Sequence, residues 1–141
     1  MEHDSAVQKL LKATREDENN CFDSGRLNNL TDIALTFVAV LGSLAATVLV
    51  STGVNHAIVA SIAAIPAACT TLQHVVDFRG RSSWYFQHSA GLKALGLSLE
   101  YAANPDVEQF AKRRGELELE AEKRWAQIGR GGGVNRRRGA L

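Results

Sequence analysis

Three hydroxyl side chains recur in a stretch of sequence that carries no charged residue. Thr36, Ser43 and Thr47 are separated by steps of seven and four residues, which places them on one stripe of a helix. Such a stripe can face water when several copies assemble, and it would then line a pore. The alternative is that each hydroxyl donates to the backbone carbonyl four residues earlier, a common arrangement without function.

Polar side chains also mark the two ends of this uncharged stretch. Asp32 directly precedes it, and Gln73 and His74 lie near its end. If the stretch folds back on itself, these three residues come to the same depth. An ionisable residue at the mouth of a membrane segment is a candidate for function, and a histidine there could sense pH. The alternative is that all three are ordinary residues of a membrane–water interface.

Motifs of known enzymes are missing from the sequence. It has no HExxH, GxSxG, EF-hand or TVGYG motif, and its Gly131-Gly-Gly run does not follow a strand as a phosphate loop would. Cys21 and Cys69 form no CxxC pair, and the four histidines are too scattered to predict a metal site. We therefore expect no catalytic residue, no metal and no cofactor, and predict a membrane element rather than an enzyme.

Charge is strongly segregated along the 141 residues, although the formal net charge is only +1. Residues 1–32 carry four basic and seven acidic side chains, residues 33–76 carry none, and residues 77–141 carry twelve basic and eight acidic ones. An average soluble domain is about a quarter charged, so 44 consecutive uncharged residues are unusual.

The uncharged stretch divides into two apolar segments, residues 33–54 and 57–76, around a short polar break. About 20 apolar residues in a helix span the 30 Å of a bilayer core. We predict a transmembrane hairpin with a tight turn near Gly53–His56. The alternative is a buried hairpin of a soluble bundle, but a soluble helix normally shows a polar face. A signal peptide fits poorly because no basic leader directly precedes the first segment.

The distribution of Lys and Arg predicts the orientation of the hairpin. The turn has neither residue, whereas Arg15 and Arg26 precede the first segment and Arg79, Arg81 and Lys93 follow the second. The positive-inside rule then puts both termini in the cytoplasm of a multi-pass protein of the cell (inner) membrane.

Small residues in the two segments predict where helices pack closely. Lipid gives helices no hydrophobic drive to associate, so close approach of small side chains matters. The first segment offers Gly42 and Ala46, and the second offers a row spaced by four, three and four residues: Ala57, Ser61, Ala64 and Ala68. These residues could pack within the hairpin or between subunits.

Aromatic and basic residues cluster just after the second segment. Their composition is typical of a belt at the level of lipid headgroups. The alternative is an aromatic cluster that packs the cytoplasmic helices against one another. The residues assigned to this belt are Phe78, Arg79, Arg81, Trp84 and Tyr85, with Phe86 beside them.

The flanking regions are predicted to be helical. We expect a helix over residues 5–30 that runs into the membrane segment, with a possible bend at Gly25, and another over residues 83–103. Asn104 as N-cap and Pro105 at the first position begin a last, amphipathic helix that ends near Ile128 at Gly129. The tail, residues 129–141, is too polar to fold, and Arg136–Arg138 would favour an anionic membrane surface.

These observations predict an all-α membrane protein, in which a two-span transmembrane helical hairpin is flanked by N- and C-terminal cytoplasmic helices. Its parts are an N-terminal cytoplasmic helix (1–32), the hairpin (33–76), a cytoplasmic helical region (77–128) and a disordered basic tail (129–141). Its partners are the lipid bilayer and further copies of itself, because two helices cannot enclose a water path. Three arginines without an aromatic platform predict no specific nucleic-acid partner.

The order of parts over residues 10–128 resembles the SLATT family of two-span membrane effectors from prokaryotic conflict systems. The resemblance is carried by the layout and by the segment Asp77-Phe-Arg-Gly-Arg-Ser-Ser-Trp-Tyr-Phe directly after the hairpin. It implies an oligomeric pore-forming or channel-like effector of an antiphage defence system. It also implies a soluble partner that makes or senses a nucleotide signal.

Two other functions fit the same sequence. One is a holin-like lysis protein, although holin tails are usually shorter than the helical region that follows this hairpin. The other is a non-conducting membrane anchor or adaptor that recruits a soluble partner through its C-terminal helices.

Overall fold

The computed structural model describes residues 2–103 and 105–131, and these residues form four helices. The helices are α1 (Glu2–Ser51), α2 (His56–Val76), α3 (Phe78–Glu100) and α4 (Val107–Gly131). The described residues contain no strand, so the predicted all-helical class is confirmed. The basic tail with Arg136–Arg138 lies outside the described residues, apart from the helical residues 129–131.

Helix α1 is a single helix of 50 residues. The predicted N-terminal helix does continue into the apolar segment, and Gly25 does not interrupt it. A lone glycine costs a helix only about 1 kcal/mol, which tertiary contacts readily offset. The close approach of α3 explains its presence, because a Cβ at position 25 would lie 3.1 Å from Tyr85 Cβ.

A four-residue turn joins α1 to α2, where the sequence predicts one. Gly53 adopts a positive φ of 71°, which a residue without a side chain adopts at little cost. The Asn55 side chain then accepts a hydrogen bond of 2.8 Å from the backbone N–H of Ala57 and so caps α2.

Only Asp77 separates α2 from α3. Its backbone is left-handed (φ 47°), and its N–H donates to the carbonyl of Gln73 at 3.0 Å, which closes the last turn of α2. Helix α3 therefore begins at Phe78. The prediction that it begins at Ser83 is wrong, because a single left-handed residue is enough to end α2, and the next helix follows without a loop.

The last helix also differs from its prediction at both ends. Asp106 is its N-cap, since Asp106 Oδ1 accepts from the N–H groups of Glu108 and Gln109 at 3.1 and 3.2 Å. Asn104, the predicted cap, lies outside the described residues. Helix α4 continues past Gly129 to Gly131.

The chain forms two compact units. One, which we term the three-helix unit, comprises the residues up to Leu27 together with those from Gly80 onward. Its core contains Leu11, Leu99 and Phe110, with Leu92 and Thr14 nearly inaccessible at 1% exposure each. Its helices contribute complementary apolar faces, which is how a bundle buries amphipathic helices.

The other unit, Asn28–Arg79, is the hairpin unit. Along each of its helices, the residues that are half-buried or buried recur every three or four positions, as in a coiled-coil seam. We term these the contact rows: on α1 they are Leu35, Ala39, Gly42, Ala46 and Leu49, and on α2 they are Val59, Ile62, Pro66, Cys69 and Gln73.

Both hairpin helices are long and apolar enough to cross a membrane. Their most apolar 18-residue windows have mean hydropathies of 2.4 and 1.5. Only 11% and 6% of those windows are buried inside the chain, whereas a core helix of a soluble protein is mostly buried. The coarse part of the prediction, two potential membrane-spanning helices, is therefore confirmed.

Candidate functional site

The predicted pore-lining hydroxyls all lie on the exposed surface of α1. Thr36 donates to the carbonyl of Asp32, Ser43 to that of Ala39 and Thr47 to that of Ser43, each at 2.9 Å. The hydroxyls thus make the backbone hydrogen bonds that the sequence analysis gave as the alternative to lining a pore. These bonds use the hydroxyl protons but leave oxygen lone pairs at the surface. Their lining of a pore stays a prediction.

Two of the three predicted mouth residues meet in the structure. Gln73 Nε2 on α2 donates to the backbone carbonyl and to Oδ1 of Asp32, both at 3.0 Å, and to Thr36 Oγ1 at 2.9 Å. An amide NH₂ has two protons, so three acceptors share them. This contact fixes the register of α2 on α1. His74, the next residue, is exposed and has no part in these three bonds.

The predicted packing residues separate into two groups. Gly42 and Ala46 belong to the contact row of α1, and a Cβ at Gly42 would lie 3.4 Å from Pro66 Cδ. Gly42 thus lies directly against the Pro66 ring, at a separation where a methyl group would be in van der Waals contact. In contrast, the small residues of α2 face away from α1 and are exposed, which leaves packing between subunits as their predicted role. These residues are Ala57, Ser61, Ala64 and Ala68.

The aromatic residues after the hairpin form a cluster in the three-helix unit. Trp84 packs edge-on against Trp125 of α4 (centroids 4.8 Å apart) and against Tyr85 (4.9 Å), and it stacks on His88 at 5.3 Å. Trp84 Nε1 donates to the carbonyl of Ala121 at 2.8 Å. The contacts correspond to the second interpretation of these residues, an aromatic cluster that packs helices.

The remaining residues of the predicted belt divide between the two units. The Arg81 guanidinium lies 5.5 Å from the centroid of the Trp125 ring, within range of a cation–π interaction. Phe86 meets Phe22 of α1 edge-on at 5.6 Å. Phe78 and Arg79 belong to the hairpin unit, where Phe78 is half-buried and Arg79 exposed. A headgroup belt stays a prediction for all of them.

An ion-pair group that the sequence analysis missed joins α1 to α4. Arg114 pairs with Asp17 of α1 through Nη2 and with Glu118 of its own helix at 2.9 Å. Its side chain is 19% exposed, while both partners are about half exposed, so the group is partly solvated. The sequence could have indicated this pairing, since Arg114 lies between Phe110 and Leu117 at helical spacing and so belongs to the inward face of α4.

Two titratable groups near these ion pairs are perturbed. Burial lowers the pKa of His88 below 6.5, and the nearby carboxylates of Glu118 and Asp17 oppose that shift. Burial raises the pKa of the Cys21 thiol, and the carboxylate of Asp17 adds to the effect. A protonated thiol is a poor nucleophile, so the surroundings of Cys21 do not activate its thiol.

A small cleft of about 180 Å³ opens beside the aromatic cluster. Its lining includes Trp84, His88, Leu117, Glu120 and Arg124. Pockets for drug-sized ligands measure roughly 300–1,000 Å³, so this cleft is too small for such a molecule. Within residues 2–103 and 105–131, no three His, Cys, Asp or Glu side chains lie together in a way that could hold a metal ion.

Comparisons with known proteins add no relative. No family model, curated protein or solved structure matches this chain. The resemblance to the SLATT family therefore continues to rest on the order of the helices and on the aromatic and basic segment after the hairpin. Any statement about function depends on the physical properties of the two units.

Proposed function

We propose that this chain is the subunit of an oligomeric, pore-forming or channel-like effector of the prokaryotic cell membrane. The observation that carries the proposal is the exposed apolar surface of the hairpin unit. Phe37, Leu41, Leu44 and Val48 of α1 are each 60–64% exposed. Monomeric soluble proteins rarely leave such a continuous apolar row in water, whereas lipid or a neighbouring copy would cover it.

Membrane insertion of the hairpin is supported by its backbone as well. Helical segments bond their N–H and C=O groups internally, as a bilayer core requires. Pro66 of α2 has no N–H and leaves out one such bond, which membrane helices tolerate. The turn from Thr52 to Asn55 is uncharged, and the basic residues lie on the other side of the two segments. By the positive-inside rule, both termini of this two-span protein lie in the cytoplasm.

A geometric argument supports the proposed oligomer. A pair of packed helices has no lumen, so a water path needs several hairpins around one axis. The three-helix unit supplies a water-exposed body with its own core, suited to holding subunits together and to receiving a trigger. The SLATT-like layout supports an antiphage role in which a soluble nucleotide-signalling or sensor protein provides that trigger.

The test is leakage from liposomes that contain the purified chain, together with the mass of its oligomer in detergent. We expect a defined oligomer that releases small ions and retains large dyes. Ser43→Leu or Thr47→Leu is expected to lower this leakage several-fold without lowering membrane insertion, because each adds bulk to the predicted lining. Large nonselective holes would instead support the holin-like function.

One observation favours a second candidate, a non-conducting membrane adaptor. The hydroxyls of Thr36, Ser43 and Thr47 all donate to their own helix, so none of these three groups requires a water-filled path. In that case the hairpin anchors the chain and the three-helix unit recruits a soluble partner. A well-inserted oligomer that leaks under no trigger would support the adaptor and contradict the pore.

A further inference from the structure

The hairpin unit has two lateral surfaces whose composition can be compared position by position. In an antiparallel helix pair, a twofold axis perpendicular to the plane of the pair exchanges the two helices and keeps each lateral surface in place. Residues at equal offsets from the contact rows therefore share a surface. The residue that follows a contact position is turned by about 100° around the helix axis, and the residue that precedes it is turned by about 100° in the opposite direction. The two residues therefore lie on opposite lateral surfaces.

The surface formed by the residues that follow the contact rows is polar. It carries Thr36, Ser43 and Thr47 of α1 and, from α2, Thr70 and His74. Its remaining positions are small or medium-sized, namely Val40, Val50, Ala60, Ala63 and Ala67. All ten residues of this surface are exposed.

The surface formed by the residues that precede the contact rows is apolar. Its ten positions are also exposed, and Ser61 is the one polar residue among them. Six of the others are bulky aliphatic side chains: Val38, Leu41, Val48, Ile58, Ile65 and Leu72. The hairpin is thus amphipathic across its width, a property that neither helix shows clearly when it is considered alone.

The hydroxyls on the polar surface are all oriented in the same way, with the proton donated to a backbone carbonyl of the same helix. Thr70 donates to the carbonyls of Pro66 and Ala67 at 3.0 Å, as the three hydroxyls of α1 donate to their own backbone. With the protons turned towards the helix, the groups present oxygen lone pairs outward, although Thr36 Oγ1 also accepts from Gln73 Nε2 at 2.9 Å. The carboxylate of Asp32 lies at one end of the same stripe of α1, one helical turn from Thr36. Such a surface stabilises cations and the protons of water rather than anions.

We infer that the polar lateral surface of the hairpin, built by both helices and including Thr70 and His74, faces the water path and favours cations over anions. The inference rests on the proposed pore function and deepens it, since it names the second helix of the wall and the class of ion. The apolar surface then faces lipid or a neighbouring subunit, both of which exclude water and accommodate bulky aliphatic side chains.

A matched pair of neighbouring alanines tests the inference. Ala67 belongs to the polar surface and Ala68 to the apolar one, so they differ in surface but hardly in depth. Each is replaced by cysteine in a full-length chain that carries Cys21→Ser and Cys69→Ala, and the variants are reconstituted into leaking liposomes. A membrane-impermeant cationic thiosulfonate is the probe, since it reacts with thiolates, which form in water and not in lipid.

We expect A67C and T70C to react at least about tenfold faster than A68C, because only the first two would meet water. Under a KCl gradient, the reversal potential is expected to lie on the K⁺ side. Thr70→Val is expected to lower the conductance several-fold, whereas Leu72→Ala on the apolar surface should leave it unchanged.

The outcomes separate this inference from the function on which it rests. Leakage with equal reactivity of A67C and A68C, or with a reversal potential on the Cl⁻ side, would overturn the inference and leave the pore intact. If the chain inserts and assembles but neither leaks nor reacts at any of the three positions, both the pore and the inference are wrong.

Discussion

The core of the three-helix unit makes a quantitative prediction about two leucines of α3. Leu92 is 1% exposed and belongs to the inward face of the helix, whereas Leu97, little more than one turn later, is 44% exposed. The same substitution, Leu→Ala, should therefore have very different effects at the two positions. Full burial of a leucine makes Leu→Ala cost about 2–5 kcal/mol, from the lost transfer free energy and the residual cavity.

We expect Leu92→Ala to lower the free energy of unfolding of this unit by about 3 kcal/mol, towards the middle of that range. Small domains lose about 1–3 kcal/mol of stability per molar urea, so the unfolding midpoint should fall by roughly 2 M. Leu97→Ala, the matched control, should shift stability by less than about 1 kcal/mol because its side chain already meets solvent.

Tryptophan fluorescence during urea unfolding in a mild nonionic detergent measures both variants. The chain has two tryptophans, Trp84 and Trp125, and both lie in the aromatic cluster of the three-helix unit. The signal therefore reports on this unit and not on the hairpin. Equal midpoint shifts in the two variants, or a loss below about 1 kcal/mol for Leu92→Ala, would refute the assignment of the buried face of α3.

Two further predictions concern the hairpin and the titration of a histidine. In a chain with Cys21→Ser, Ala39→Cys should form a disulfide with the native Cys69 on mild oxidation and Val40→Cys should not, because only position 39 belongs to a contact row. Mass spectrometry of proteolytic fragments detects the disulfide. If both variants cross-link, or neither does, the register of the two helices is wrong. Stability of the three-helix unit should fall as the pH drops below 6.5. The unfolded chain binds a proton at His88 in this range, whereas the folded chain, in which the pKa of His88 is lowered, binds that proton only at lower pH. The test compares the urea unfolding midpoint at pH 7.5 with that at pH 5.5. The difference between the two midpoints should be smaller in His88→Gln than in the original chain. An equal difference in both would count against His88 as the titrating group.

Local sequence signals predicted much of the fold. The uncharged stretch and its polar break predicted the position of the hairpin, because apolar segments and turns are determined by residues that are close together in the sequence. The amphipathic pattern of α4 was likewise readable, and its Glu120–Arg124 pair is present at 3.7 Å.

The features that the sequence analysis missed depend on how helices meet. The left-handed backbone of Asp77 is an uncommon choice for a residue other than glycine, and no local pattern indicates it. The pairing of Arg114 with Asp17 joins residues 97 positions apart. The polar surface of the hairpin combines residues of two helices, so it emerges only when their register is known.

The contact between Gly91 and Leu117 has a consequence for how relatives of this chain could be found. A Cβ at position 91 would lie 2.8 Å from Leu117 Cδ1, the end of a flexible side chain, so a larger residue at 91 requires Leu117 to shift or to be replaced by a smaller residue. Chains that share this packing should vary inversely in size at the two positions, with alanine or serine at 91 paired with a smaller residue at 117. Such a covarying pair would identify kinship where the low-complexity hairpin gives little signal.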